Sequence, residues 1–82
     1  MVREITRSPN FIKQIEKLDN SYVLHIQKLI QKIIENPEIG KPMRFGRKGT
    51  REVYVSQFRL SYFYDKTKDA LFLLDLYHKD KQ

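Results

Sequence analysis

The chain has 82 residues, a length that predicts one small domain over residues 1–82 and excludes a second hydrophobic core. Its 16 Lys and Arg against 10 Asp and Glu give a formal net charge of +6, which favours phosphate-rich or acidic partners. The absence of cysteine excludes disulfides, thiolate zinc sites and a cysteine nucleophile. No apolar run approaches the roughly 18 residues of a membrane span, and the N-terminus lacks a signal peptide, so we expect a cytoplasmic protein without membrane contact.

The first half of the chain predicts a short strand and two helices. Residues 2–6 alternate between apolar and charged side chains, which indicates a strand. Ser8-Pro9 predicts a helix start, because serine caps a helix and the fixed φ of proline suits the first turn. A second helix is predicted over about Tyr22–Glu35, where apolar residues recur at three- and four-residue steps. The short connection between them predicts an antiparallel helix pair.

Residues 36–50 predict a basic surface loop. They contain all three glycines and two of the three prolines, and a brief edge strand is expected over Met43–Phe45. Basic side chains contact backbone phosphates, so the loop is a candidate nucleic-acid contact, with a solvated charged loop as the alternative. The basic residues in or beside it are Arg44, Arg47, Lys48 and Arg51.

Three strands follow, predicted over Arg51–Val55, Phe58–Tyr64 and Ala70–Tyr77. Polar residues separate them, with Ser56-Gln57 at the first turn. The pattern therefore predicts an α+β fold: a short N-terminal strand, an antiparallel helix pair, then a C-terminal antiparallel sheet of three to four strands.

The predicted register decides which side chains share a face. A two-residue turn at Ser56-Gln57 pairs Tyr54 with Arg59, and a second hairpin centred on Thr67 pairs Arg59 with Asp75. One face is then nearly all apolar, and the helices can cover it. The open face gathers Tyr54, Arg59, Asp75 and Tyr77, with His78 and Lys79 just beyond and with Phe63, Leu71 and Leu73 at its far end. A slip of one residue would scatter this cluster.

Arg59 is the most informative residue of the open face. Its planar, permanently charged guanidinium suits a phosphate and the extra charge of a phosphoryl transition state. The structural alternative is a cross-strand pair with Asp75, and the two roles are compatible, because Asp75 could orient Arg59.

The neighbours of Arg59 each have two interpretations. His78 could transfer protons at neutral pH, or be a solvated terminal residue. Glu52 could act as a base, or form a surface salt bridge. Tyr54 and Tyr77 could stack on a base or supply a hydroxyl near the phosphate, or serve packing alone. Two histidines without paired carboxylates nearby disfavour a metal site.

These residues resemble a known family. Phe58-Arg59-Leu60-Ser61-Tyr62 is similar to the aromatic-Arg-Leu-x-Tyr strand of the RelE/ParE superfamily, the toxins of type II toxin–antitoxin modules. The closing Leu76-Tyr77-His78-Lys79 supports the resemblance, which covers essentially the whole chain.

The resemblance implies a metal-independent endoribonuclease that cuts mRNA, commonly in the ribosomal A site, by attack of the 2′-hydroxyl on the adjacent phosphate. It implies no cofactor, and it implies a cognate antitoxin, mRNA and the ribosome as partners. The catalytic residues it suggests are Arg59, His78 and Lys79. Tyr54, which the predicted register places beside Arg59, is a fourth catalytic candidate. The predicted RNA-binding residues are Arg44, Arg47, Lys48, Arg51, Tyr77 and Lys81, with Asp75 and Glu52 in support.

The chain also differs from relatives of the RelE type, which have two lysines where this chain has Glu52 and Tyr54. The gyrase-poisoning ParE branch shares the fold without the nuclease residues. The alternatives are therefore a gyrase inhibitor, or a toxin without catalytic activity that only binds its antitoxin.

Overall fold

The computed structural model describes residues 2–43 and 49–81. The elements are β1 (Glu4–Arg7), α1 (Pro9–Glu16), α2 (Asn20–Glu35), β2 (Lys41–Pro42), β3 (Thr50–Val55), β4 (Phe58–Asp65), β5 (Ala70–His78) and a 3₁₀ helix (Lys79–Lys81). They follow the predicted order, with the edge strand at Lys41–Pro42 rather than at Met43–Phe45, where residues 44 and 45 lie outside the described ranges. Within those ranges, no helix is long and apolar enough to cross a membrane.

The strands form one five-stranded sheet in the order β1-β5-β4-β3-β2. The pairs among β2 to β5 are antiparallel, whereas β1 lies parallel to β5. The predicted α+β fold is confirmed, and the N-terminal strand extends the predicted C-terminal sheet at its β5 edge.

Both helices contribute to one core on one face of the sheet. The buried residues of this core are Phe11, Ile26, Ile30, Ile33, Val53, Val55, Leu60, Tyr62, Leu71, Leu73 and Leu76. Helix α1 starts at the predicted cap, where Ser8 Oγ accepts a hydrogen bond from Phe11 N at 3.0 Å. Ser8 Oγ also donates to the Leu74 carbonyl, which fixes the start of α1 against β5.

The register between β4 and β5 corrects the prediction. Arg59 pairs with Tyr77 and not with Asp75, a difference of two residues. One residue comes from the turn, where Ala70 pairs with Asp65, and the other from the shift between Ser61 and Tyr62, which leaves Leu74 as an extra residue in β5. Such a β-bulge reverses the alternation of faces beyond it. The first hairpin has the predicted pairing of Tyr54 with Arg59.

The bulge also moves apolar side chains between the faces. Leu71 and Leu73, which the simple register assigned to the open face, lie completely buried in the core. Phe72 lies on the open face instead, paired with Phe63.

Tyr62 anchors the segment that leads from α2 into β2. Its hydroxyl donates to the Pro37 carbonyl at 2.7 Å and accepts from Gly40 N at 2.9 Å. Burial raises the pKa of Tyr62 above its ordinary value. A Cβ on Gly40 would lie 2.7 Å from Tyr62 Oη, so only glycine fits there without movement of the ring. Arg51 Nη1 secures the same segment by donating to the Gly40 carbonyl at 2.8 Å.

Replacing Tyr62 with Phe should lower the free energy of unfolding by about 1–3 kcal/mol, because the Pro37 carbonyl and the Gly40 N–H lose their buried partner. Urea unfolding at neutral pH measures the difference. The control is Tyr54→Phe at a ring that is 53% exposed, where we expect a change within about 0.5 kcal/mol. Equal effects of the two substitutions would contradict the anchoring role of Tyr62.

The turn between β4 and β5 should make stability depend on pH at both extremes. The Tyr64 hydroxyl donates to Asp69, which lowers the pKa of Asp69 below 3.8 and raises the pKa of Tyr64 above 10.0. The Asp69 contribution is complete above its ordinary pKa and is lost as pH falls through the lowered value. The Tyr64 contribution is complete below its ordinary pKa and is lost as pH rises through the raised value.

We therefore expect thermal midpoints of wild type and Tyr64→Phe to differ most near neutral pH and to converge at both ends of a scan. A gap that stays constant from acid to alkali would contradict this assignment.

Candidate functional site

The sheet face opposite the helices carries three rows of cross-strand neighbours. Paired residues in antiparallel strands share a face and have Cβ atoms about 5 Å apart. The rows are Tyr54, Arg59 and Tyr77; then Glu52, Ser61 and Asp75; then Thr50, Phe63 and Phe72. We call this surface the open face.

Four residues of the first two rows form a connected group, the Glu52 cluster: Glu52, Tyr54, Arg59 and Tyr77. Glu52 Oε1 lies 3.4 Å from Arg59 Nη1, and Glu52 Oε2 accepts a hydrogen bond from the Tyr77 hydroxyl. The Arg59 guanidinium lies over the Tyr54 ring, 4.5 Å from its centroid. The glutamate is only 3% exposed and the arginine side chain 28% exposed, so this pair is not the surface salt bridge considered from the sequence.

Burial explains the composition of the Glu52 cluster. An ionised carboxylate removed from water needs a counter-charge and hydrogen-bond donors, which Arg59 and Tyr77 supply. The same three groups offer a planar anion-binding fork, a carboxylate that can accept a proton and a phenol that can donate one. The cluster thus combines the functional groups needed for acid–base chemistry on a phosphate ester.

His78 lies on the other face of the sheet. It pairs with Phe58, and the two rings are 5.5 Å apart between centroids. The Phe58 ring also contacts Tyr22 of α2, which places both on the helix side. The predicted proximity of Arg59 and His78 is therefore wrong, because strand alternation puts Tyr77 beside Arg59 and turns His78 away.

Around His78, Gln57 Oε1 lies 3.0 Å from Nε2. His78 borders a cleft of about 390 Å³ between α1 and β5, together with Asn10, Gln14 and Lys17. Tyr77 of the Glu52 cluster and Asp75 also line this cleft.

Asp75 also departs from its predicted role. Its Oδ1 accepts from Asn10 Nδ2 at 2.6 Å and from the backbone N of Leu76 at 2.8 Å. Its predicted pairing with Arg59 is wrong, because the turn at Asp65–Ala70 and the bulge at Leu74 each shift the register by one residue and pair Asp75 with Ser61. Glu52 takes the place expected of Asp75 and pairs with the guanidinium.

The remaining predicted residues are dispersed or lie outside the described ranges. Lys79 is exposed at the start of the 3₁₀ helix, and Arg51 pairs with buried Tyr62, away from Arg59. Three predicted RNA contacts, Arg44, Arg47 and Lys48, fall outside the described residues, as does the side chain of Lys81.

Two features of the open face were missed from the sequence. Phe72 joins Phe63 there, and a hollow of about 190 Å³ lies next to them, lined by Thr50, Ser61, Leu74 and Asp75. Both depend on the bulge, which moves Phe72 onto this face. Among the described residues, no group of three His, Cys, Asp or Glu side chains is placed to hold a metal ion.

Comparisons with known proteins identify one family. A family model described as the ParE toxin of the type II toxin–antitoxin system parDE matches residues 5–82. A comparison with curated protein sequences gives no significant match.

Several solved structures share the fold. A chain of the Mycobacterium tuberculosis toxin–antitoxin complex RelBE2 has a TM-score of 0.84 at 19% identity, covering 95% of this chain and 99% of that one. The YoeB/ParE toxin from Agrobacterium tumefaciens has a TM-score of 0.83 at 15% identity, covering 93% and 98%. YafQ from Escherichia coli has a TM-score of 0.76 at 20% identity, covering 96% of each chain.

The Glu52 cluster predicts energetic coupling between Glu52 and Arg59. Replacing Arg59 with Met should destabilise the wild type more than it destabilises a Glu52→Gln protein, because only the wild type is left with a buried charge lacking its guanidinium partner. We expect a coupling energy of about 1–3 kcal/mol from urea unfolding of the four proteins. As a control, Arg7→Met, at an exposed arginine of β1, should change the free energy of unfolding by the same amount in the wild type and in the Glu52→Gln protein. A coupling energy near zero for Arg59 would contradict the ion pair.

Proposed function

The chain belongs to the ParE toxin family of type II toxin–antitoxin systems, and we propose that this toxin is a metal-independent endoribonuclease that inhibits translation by cutting mRNA. The observation that carries the proposal is the Glu52 cluster, in which one buried carboxylate contacts both a guanidinium and a phenol on the uncovered side of the sheet. These are the groups that transesterification of RNA needs.

Arg59 holds the scissile phosphate. Its fork forms two parallel hydrogen bonds to non-bridging phosphate oxygens and stabilises the extra negative charge of the pentacoordinate transition state. Tyr54 keeps the guanidinium in place through its ring face, and its 53% exposure leaves ring surface for contact with RNA.

Glu52 and Tyr77 move the protons. Glu52 takes the proton of the 2′-hydroxyl as the 2′-oxygen bonds to phosphorus. The bond from phosphorus to the 5′-oxygen breaks, and the Tyr77 hydroxyl gives its proton to that oxygen. Tyr77 then recovers a proton from Glu52 through their hydrogen bond, so both groups return to their starting states. The products are a 2′,3′-cyclic phosphate and a 5′-hydroxyl.

The partners follow from the family and from the charge. Solved relatives include the Escherichia coli RelBE complex and the Pyrococcus horikoshii RelE–RelB complex, and we propose that this toxin likewise binds a cognate antitoxin. The net charge of +6 suits mRNA and the ribosome, and such a toxin acts in the cytoplasm.

A second candidate function is inhibition of DNA gyrase through a binding surface, as in the ParE branch. The observations that favour it are the family match itself, the position of His78 away from Arg59, and the Glu52 carboxylate that compensates the arginine charge. It requires no proton transfer on the open face.

Cleavage of cellular mRNA after induction of the toxin tests the ribonuclease. We expect new 5′-hydroxyl ends within translated messages, mapped by primer extension. Cleavage of purified RNA should be unchanged by EDTA. Arg59→Ala should reduce the cleavage rate by at least about 100-fold, and Glu52→Gln by a similar factor.

Arg7→Ala, at an exposed arginine on β1, is the matched control and should cut normally. Circular dichroism confirms folding of each variant. Full growth arrest by Arg59→Ala, together with loss of supercoiling in a gyrase assay, would reject the ribonuclease and support the second candidate.

A further inference from the structure

We infer that Phe63 and Phe72 form a base-binding subsite, which stacks an unpaired nucleobase of the same RNA strand whose phosphate Arg59 holds. The inference rests on the proposed ribonuclease and identifies its substrate class as single-stranded RNA. The subsite occupies the third row of the open face, next to the hollow lined by Thr50, Ser61, Leu74 and Asp75.

The two rings present an aromatic surface on this face. Their centroids are 5.8 Å apart with planes tilted by 31°, and Phe63 is 36% exposed. The helices cover the other face, where the core residues lie. Aromatic rings on an uncovered sheet are a common platform for unstacked bases, because every base has a π-face.

Gly49 places no side chain beside the Phe63 ring. Its φ of +94° lies in the left-handed region, and a Cβ built there would come 4.0 Å from Phe63 Cε1. A side chain at this position would therefore rest against the ring. Glycine allows the left-handed backbone that leads into β3 and adds no side chain of its own against the ring edge.

The spacing connects this subsite to Arg59. Phe63 follows Arg59 by four residues on β4, which corresponds to about 13 Å along the same face. The hollow of about 190 Å³ borders this path and has the side chains of Thr50 and Ser61 in its lining. A strand of a few nucleotides, with a phosphate at Arg59 and a base on the phenylalanines, fits this distance.

Charge favours RNA over an apolar peptide as the occupant. Lys66 and Lys68 are exposed in the turn at the Phe63 end of the face, whereas Asp65 and Asp69 of the same turn accept hydrogen bonds within it. Arg59 lies at the other end of the face. Cations at both ends of an aromatic row complement a polyanion that tracks along it. The chain as a whole carries a formal charge of +6.

Equilibrium binding of a short single-stranded RNA tests the subsite. The probe is fully 2′-O-methylated, so the full-length toxin binds it without cutting it, and fluorescence anisotropy reports the affinity. Phe63→Leu keeps an apolar side chain but removes the ring, and it should weaken binding by about 5- to 100-fold. Leu24→Ala, at an apolar side chain of α2 that is 57% exposed, should bind like the wild type.

An abasic scan shows whether the contact is a base. Removing one base at a time from the probe should weaken binding by the wild type strongly at one position. Removal of that same base should not change the affinity of the Phe63→Leu protein. Phe63→Tyr, which keeps the ring, should restore the wild-type pattern. A wild-type protein indifferent to every abasic position would overturn the inference.

The outcomes separate the subsite from the proposed function. If the Phe63→Leu protein binds and cuts RNA like the wild type, the base-binding subsite is wrong and the proposed ribonuclease activity is unaffected. If the wild type cuts no RNA but its binding still weakens at one abasic position, the ribonuclease is contradicted and the stacking contact is supported. Phe63→Leu with normal RNA binding but weakened neutralisation by the antitoxin assigns the row to the antitoxin and overturns the inference.

Discussion

The pairing between β4 and β5 determines which side chains of this toxin lie together on the open face. One extra residue in β5, Leu74, places Tyr77 opposite Arg59. Without the bulge, the pairing of Tyr62 with Leu73 would continue to a pairing of Arg59 with Leu76, and an apolar residue would lie opposite the guanidinium. With the bulge, Tyr77 lies opposite Arg59 on the open face, where it donates to the Glu52 carboxylate that contacts Arg59 from β3. Phe72 joins Phe63 on the same face.

Side chains of the helix cap and of the first turn of α1 contact the bulge. Ser8 binds the Leu74 carbonyl with the same oxygen that caps the helix, and Asn10 binds Asp75, whose carboxylate accepts from Leu76 N. A bulge leaves backbone groups without ladder partners, and these contacts supply hydrogen bonds at that point. The start of the first helix therefore fixes the register of the last strand.

The sequence predicted the elements well because their signals are local. The Ser8-Pro9 cap, the apolar period of α2 and the turn at Ser56-Gln57 each depend on neighbouring residues, and each is confirmed. The bulge was not predictable from the sequence. Residues 71–74 are all apolar, so shifting the strand by one residue still places an apolar side chain on the core face. That ambiguity carried over to the site, where Arg59 and Tyr54 were placed together correctly while Asp75 and His78 were not.

The parallel contact between β1 and β5 has a consequence for synthesis of the toxin. It joins residues 4–7 to residues 70–73, so the first strand finds its neighbour only when the last one has been made. Contacts of such sequence separation are costly in chain entropy and form late in folding. A chain that stops before β5 therefore leaves β1 without its neighbour in the sheet, and the toxin completes its sheet only after its last strand has been synthesised.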